Sequence, residues 1–282
     1  MANRIFYACH ALAVDGSFVA GAQSAAITTS FDLEPVFQLG QLEAVDVLNL
    51  SPNVEVTVTR ALTDSSGTIF SGSFIDNVGD NNKTVCLGIG DDQEELLTST
   101  SSIHCTGMGI SGVTYNFPVD GIFTEEVSFS GTSKTVGGCS VSASEDTTSK
   151  ALVRYSYQSG VPATVTNAGN LTNISISASI SRENLFRLGE YKAYHNFASL
   201  PSEITVDFEV SATSVDGIAI AAAAGCNGPT DNKEDITIAL CGYSFAIENA
   251  RLSNVAYGGG DTGGGNATIT FTYTSYNSLT VT

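Results

Sequence analysis

The chain of 282 residues has no tryptophan and only three histidines, which removes the usual aromatic platform for sugars and leaves few bases for catalysis. Basic residues are also scarce, 11 against 29 acidic, for a net charge of -18, and this argues against a surface that grips nucleic acid by neutralising phosphates. A wall of the same sign as DNA would instead let the polymer pass without sticking. The ordinary role of such acidity is solubility. Long apolar runs are missing too. The longest, Gly217 to Gly225 (GIAIAAAAG), is too short to span a membrane, and the opening MANRIFYACHALAVDGSF lacks the basic, apolar and cleavage regions of a secretory signal. The sequons at Asn82, Asn170, Asn173 and Asn266 are what a Ser/Thr-rich chain produces by chance.

The six cysteines form no CxxC pair and show no tight spacing, so with no export signal they are expected to be reduced and mostly buried thiols. The neighbours Cys9-His10 and His104-Cys105 do not reach the ligand pattern of a zinc site, and no metal or cofactor is expected. None of His10, His104 and His195 lies in a nucleophile context, and no G-x-S-x-G elbow occurs. Carboxylate neighbours such as Asp91-Asp92 and Glu125-Glu126 follow from the acid content alone. The chain is expected not to be an enzyme.

What the sequence does have is glycine, 28 residues of it, with recurrent Ser, Thr and Val, the usage of short strands and tight turns. It also repeats itself. A shift of 149 residues places Ile27 on Ile176, Ser30 on Ser179, Glu34 on Glu183 and Phe37 on Phe186; it also aligns Leu39 with Leu188, Gly40 with Gly189, Ala44 with Ala193 and Pro52 with Pro201. These are eight identities in 26 positions, where unrelated segments would give about two. At an offset of 142, Val113 and Tyr115 meet Val255 and Tyr257, and VSFSGTS from Val127 meets ITFTYTS from Ile269. Two tandem modules are expected, 1–140 and a divergent 141–282, with the linker proper over Gly137 to Thr148.

Strand signals dominate each copy. Arg4 to Val14 reads as an opening strand, and Leu152 to Tyr157 holds the same place in the second copy. Ile27, Thr29, Phe31 and Leu33 alternate with Thr28, Ser30 and Asp32, the period of a half-buried strand. Pro35 stops that strand or marks an edge, Val36 to Leu50 reads as an apolar connection pivoting on Gly40, and Val54, Val56 and Val58 open the next strand. In the second copy Ile174, Ile176, Ala178 and Ile180 alternate, and Ile204, Val206, Phe208 and Val210 align with the first copy only after a one-residue shift, to 150. Asp91 to Leu97 and Val215 to Ala224 are the segments with helical character, at most one short helix per copy. The run Gly258 to Gly265 has no helix after it and no Lys, so it reads as a hairpin tip and not a phosphate loop.

The pattern F-x-L-x-x-V-F-x-L-G-Q-L followed by P-x-V-E-V-T-V, within Ile27 to Thr59, resembles the tail tube proteins of tailed bacteriophages. The close match covers about a ninth of the chain, and the second copy departs from it, with Arg182 in place of Leu33 and no Gln-Leu after Gly189. The resemblance implies a mainly β fold of two tandem β-sandwich or rolled β-barrel modules, with Phe37, Leu39, Gly40, Pro52, Phe186, Leu188, Gly189 and Pro201 as the repeated structural motif. It implies a virion protein, assembled in the host cytoplasm, whose rings stack into a hollow tube through which DNA leaves without specific binding. Other tail proteins such as sheath, baseplate and terminator would be its partners, and no membrane is involved. If a ring needs six modules, three chains supply them. The alternative class is a capsid-decorating or fibre-associated β protein.

Overall fold

The period-two patterns become strands in a computed structural model of the chain, described for residues 10–64, 67–79, 82–90, 101–141, 149–213, 233–259 and 267–282. The first repeat contains β1 (His10–Val14), β2 (Ser17–Phe18), β3 (Ala22–Val36), β4 (Asp46–Ala61), β5 (Gly72–Ser73), helix α1 (Phe74–Val78), β6 (Lys83–Ile89), β7 (Ser102–Pro118), β8 (Thr124–Gly131) and β9 (Ser133–Val136). The second contains a 3-10 turn (Arg154–Ser156), β10 (Tyr157–Ser159), helix α2 (Ala163–Ala168), β11 (Gly169–Leu185), β12 (His195–Ala212), β13 (Glu234–Leu240), β14 (Tyr243–Gly258), β15 (Thr268–Ser275) and β16 (Leu279–Val281). The fold is mainly β, and its strand pairings are antiparallel throughout the described residues. No helix among them is long and apolar enough to cross a membrane.

Two long strands organise the pairing because each changes partners halfway. The first half of β7 pairs with β6 and β9, while the stretch from Gly109 to Pro118 pairs with β8 and β11. Likewise β14 pairs with β13 and β16 up to Ala250, then with β15 from Arg251 to Gly258. The central sheet therefore runs β3-β4-β8-β7-β11-β12-β15-β14, four strands from each repeat, joined at β7 and β11. Its register repeats as well. Val56 faces Ile27 and Phe129 as Val206 faces Ile176 and Tyr273. A bulge leaves Ser111 of β7 unpaired with β8, and another leaves Ser253 of β14 unpaired with β15.

Alternation sends one set of side chains from this sheet inward. Val54, Val56, Val58, Tyr115, Val127, Phe129, Ile176, Val206, Phe208 and Phe271 are all at most 1% exposed. They share one contiguous core with residues of the remaining strands, among them Val85, Cys105, Ile238 and Phe245. The Phe245 ring lies 4.6 Å from Tyr115 and 5.3 Å from Phe117, so the core crosses from one repeat to the other. The C-terminal strand does the same, since β16 pairs with β5 and Ser73 Oγ lies 2.9 Å from Ser278 Oγ.

Four expectations need correction. Val36 to Leu50 is a connection only from Phe37 to Val45, turning at Gly40: β3 continues through Pro35, which pairs with Val47, and β4 begins at Asp46. The proline is tolerated because, among the described residues, β3 is an edge strand. The VSFSGTS segment aligns at 144, not 142, because Val127 faces Val113 while Phe271 faces Val255; an extended chain shifted by two keeps its faces, so alternation could not distinguish the two. Part of the supposed linker is packed, with Val141 buried against Ala11, Ala13 and Cys86. Finally, Cys86 and Cys139 form a disulfide, whereas Cys105 is a buried free thiol and Cys241 an exposed one. A separation of 53 residues hides this pairing in the sequence. The one-residue shift to 150 is explained by the bulge that separates Ser179/Glu203 from Ser181/Ser199, which holds one residue more on β12 than its counterpart holds on β4. The helical segments expected at Asp91 to Leu97 and Val215 to Ala224 lie outside the described residues.

One charged pair sits inside the core. Arg60 and Glu125 face each other across β4 and β8, 2.7 Å apart and almost fully buried. The Glu125 carboxylate also accepts from the Ile69 N–H at 2.9 Å, the Phe70 N–H at 3.2 Å and the Tyr115 hydroxyl at 3.0 Å, while Arg60 donates to the Gly67 carbonyl. The pair thus fastens the segment before β5 to the sheet. At the matching place the second repeat has Val210 facing Ile269. Burial raises the Glu125 pKa above the ordinary glutamate value of 4.5, and Arg60 and the three donors oppose the shift. A carboxyl that binds its proton more tightly when folded contributes stability that is present below the ordinary glutamate range and declines as pH rises through the raised value.

Denaturant unfolding should show Glu125→Ala losing about 3–5 kcal/mol, because the Arg60 charge is left buried without its counter-charge. The double variant Arg60→Val/Glu125→Ile, which copies the second repeat, should lose less and should flatten the pH dependence above 4.5. Equal losses for both variants would show that the pair's own charges are immaterial. Reducing Cys86–Cys139 should cost roughly 2–4 kcal/mol, read as a lower denaturation midpoint in dithiothreitol.

Candidate assembly interface

A sheet edge with unpaired backbone groups is a template for another strand, and among the described residues the central sheet has two. Among the described residues β3 pairs only with β4, and the segment Arg251 to Gly258 of β14 pairs only with β15. By register β3 is the counterpart of β11, and β14 the counterpart of β7. The strands that meet inside the chain therefore have their equivalents at its two outer edges.

Exposure distinguishes the two situations. Tyr115 is fully buried at the internal joint, whereas its counterpart Tyr257 is 56% exposed. Ile110 is 4% exposed and its counterpart Leu252 39%. The free edges carry apolar side chains of the kind that the joint covers.

Beyond the sheet, β3 and β4 project as one hairpin arm and β11 and β12 as another. Both arms end in the same turn. In the first, the Gln41 N–H donates to the Gln38 carbonyl and the Val45 N–H to the Val36 carbonyl; in the second, Glu190 donates to Arg187 and Tyr194 to Leu185. Gly40 and Gly189 occupy the third turn position with φ of 88° and 92°, a conformation that excludes a Cβ at little cost only in glycine. The F-x-L-G motif is thus a strand end followed by a turn. Its leucines, Leu39 and Leu188, stand fully exposed at the tips, with Phe37 and Phe186 more than half exposed beside them. Pro52 closes the bulge of the first arm opposite Phe31, and Pro201 lies within the bulge of the second, after a cis peptide bond.

The arms differ at their bases. Arg182 of the second arm donates from Nε to the Ile110 carbonyl at 2.7 Å and from a terminal nitrogen to Asn196 Oδ1 at 3.0 Å, and Asn196 donates to Asn184 at 2.8 Å. Its guanidinium occupies the space above Gly109, where a Cβ would overlap it. The Tyr191 hydroxyl donates to the Leu50 carbonyl at 3.1 Å, so the second arm leans on the first. In the first arm the matching positions are Leu33, Val47 and Pro35, and both Leu33 and Val47 are about half exposed. In the sequence Arg182 shows only as a departure from Leu33; the Gly109 whose space its guanidinium fills was the missed signal.

The second face of the central sheet is polar. Its positions are mostly Ser, Thr and Asn, with Glu55, Glu126, Glu203, Asp207 and Glu209 among them. Arg182 and Arg251 lie at the margin nearest the arms. Of the histidines, His104 faces Cys86 and Thr135, His195 opens β12 and His10 opens β1, on three different strands. Among the described residues no group of three or more His, Cys, Asp and Glu is placed to hold a metal ion.

Arg182→Ala should cost about 1–3 kcal/mol, since it leaves the Ile110 carbonyl and Asn196 without their donor. Leu39→Asp and Leu188→Asp should leave unfolding within about 0.5 kcal/mol of the parent, because both side chains are fully exposed. No protein-family model and no curated protein matches this chain.

Proposed function

We propose that this chain is a virion structural protein, the subunit of a hollow phage tail tube. The observation that carries the reading is the central sheet, in which two repeats join edge to edge and leave the same two kinds of edge open at its ends. A joint between unlike edges is heterologous, and repetition of it closes a ring when the rotation allows. Three chains bring six repeats to such a ring. Each repeat is then one β-sandwich or rolled-barrel module, with the central sheet lining the channel and the remaining strands outside it. The F-x-L-G resemblance to tail tube proteins agrees with this assignment.

The two faces of the sheet suit the role. A lining of hydroxyls, amides and carboxylates repels the phosphate backbone, with cations only at the margin near the arms, so DNA passes without binding. The exposed leucine tips of the arms dock on the next ring of the stack, with the host cytoplasm as the place of assembly and the other tail proteins as neighbours. A capsid-decorating protein would have no use for two open sheet edges and two apolar arms.

Native mass spectrometry with negative-stain microscopy tests the reading. Masses in multiples of three chains and hollow cylinders are expected, and a persistent monomer or rings of six chains would overturn it. The variant Leu39→Asp/Leu188→Asp should form rings that no longer stack. Glu126→Lys/Asp207→Lys/Glu209→Lys should acquire salt-sensitive binding to duplex DNA in a gel-shift assay, where the parent shows none.

A further inference from the structure

Resting on that reading, we infer the register and the recognition chemistry of the joint between chains: it copies the internal β7·β11 joint, with a second copy of this chain as the partner. Inside the chain, Ile176 faces Tyr115, Ser177 faces Thr114, Ala178 faces Val113 and Ser179 faces Gly112. The equivalences are fixed independently by the pairings within each repeat. Carried across, they set Ile27 of one copy opposite Tyr257 of the next, Thr28 opposite Ala256, Thr29 opposite Val255 and Ser30 opposite Asn254.

The side chains at the edges fit this register. Tyr115 is buried at the internal joint, and Tyr257, its exposed counterpart, is covered once β3 of another copy lies beside it. The arm bases are complementary in a swapped sense. At the internal joint the arm supplies Arg182 and the receiving strand supplies Gly109. Between chains the arm supplies Leu33 and the receiving strand supplies Arg251, the counterpart of Gly109. Each joint therefore holds one arginine facing an uncharged residue. An arm carrying Arg182 placed on β14 would set two guanidinium groups together, so β14 accepts β3 and rejects β11. The arms follow the same rule: as Tyr191 reaches Leu50, the fully exposed Leu42 of one copy lies against Ser199 and the exposed Leu200 of the next.

Cysteine pairing reads the register directly. Thr28→Cys combined with Ala256→Cys should, on oxidation or with a short bis-maleimide, give intermolecular cross-links that end at a covalent trimer. Thr28→Cys with Asn254→Cys, displaced by two residues on the same face, should give no more than the single-cysteine variants; efficient cross-linking of this displaced pair would overturn the register. Charge exchange reads the recognition. Leu33→Arg should weaken ring formation by about tenfold or more, because its charge meets Arg251. Adding Arg251→Gly, which rebuilds the internal pair, should restore assembly. Rings unaffected by Leu33→Arg would overturn the swapped-arginine rule. Trimers or tubes without the expected cross-link would overturn the register alone, whereas a chain that stays monomeric under all conditions would overturn both this inference and the tube reading.

Discussion

Every backbone N–H and C=O of a strand requires a partner, and the stretch of β7 from Gly112 to Asn116 is paired on both sides, with β8 and with β11. That pairing makes one sheet of two repeats. It sets which face of β11 points inward, because a slip of one residue would turn Ile174, Ile176 and Ala178 outward. It also brings β14 near enough for Phe245 to pack on Tyr115 and Phe117, and β16 near enough to pair with β5. The repeats are therefore not beads on a string. Their core is shared, and among the described residues the central sheet keeps its open edges at β3 and at the stretch of β14 from Arg251 to Gly258.

The repeats have diverged where their surroundings differ. Arg60 and Glu125 fasten the segment around Ile69 and Phe70, whereas the same sheet positions in the second repeat hold Val210 and Ile269. A buried ion pair with all its acceptors in use costs desolvation that only good geometry offsets, so it persists where a loop depends on it and gives way to apolar packing elsewhere. Arg182 and Leu33 divide along the same line. The arm that rests on its own chain uses directional hydrogen bonds to the Ile110 carbonyl and Asn196, and the arm with no such neighbour presents aliphatic surface instead.

Much of the fold was legible because alternation and repetition are local properties. Ile27, Val54 to Val58 and Ile204 to Val210 reveal their strands by period two, and the shift from 149 to 150 is visible there too, although its cause, a bulge, is seen only in the pairing. What alternation leaves out is the identity of the partner strand. Nothing in the residues of β7 alone announces that it changes partners at Gly109, and the disulfide and the Arg60–Glu125 pair depend on such long-range neighbours. The arms are hidden in the sequence for a related reason. Apolar residues from Val36 to Leu50 normally signal burial, and here strands carry them away from the core. The repeated motif itself was visible, but its meaning, a turn that holds Leu39 and Leu188 in solvent, required the backbone.

Duplication within one chain has a thermodynamic consequence for the proposed ring. A ring of separate modules needs every joint to form between molecules, each with its own loss of translational and rotational freedom. Here every second joint is intramolecular and is made as the chain folds, with β7 and β11 presented to each other at high effective concentration. Only the β14·β3 joints remain to be made between chains. The internal joint can then be polar and directional, as Arg182 makes it, because folding supplies its register. The external joint must be found by diffusion, and exposed apolar edges such as Tyr257 and Leu252, beside a single arginine that excludes the wrong arm, give it both driving force and selectivity. The unequal chemistry of the two repeats thus fits the proposed ring, in which half of the joints would be made by folding and half by assembly.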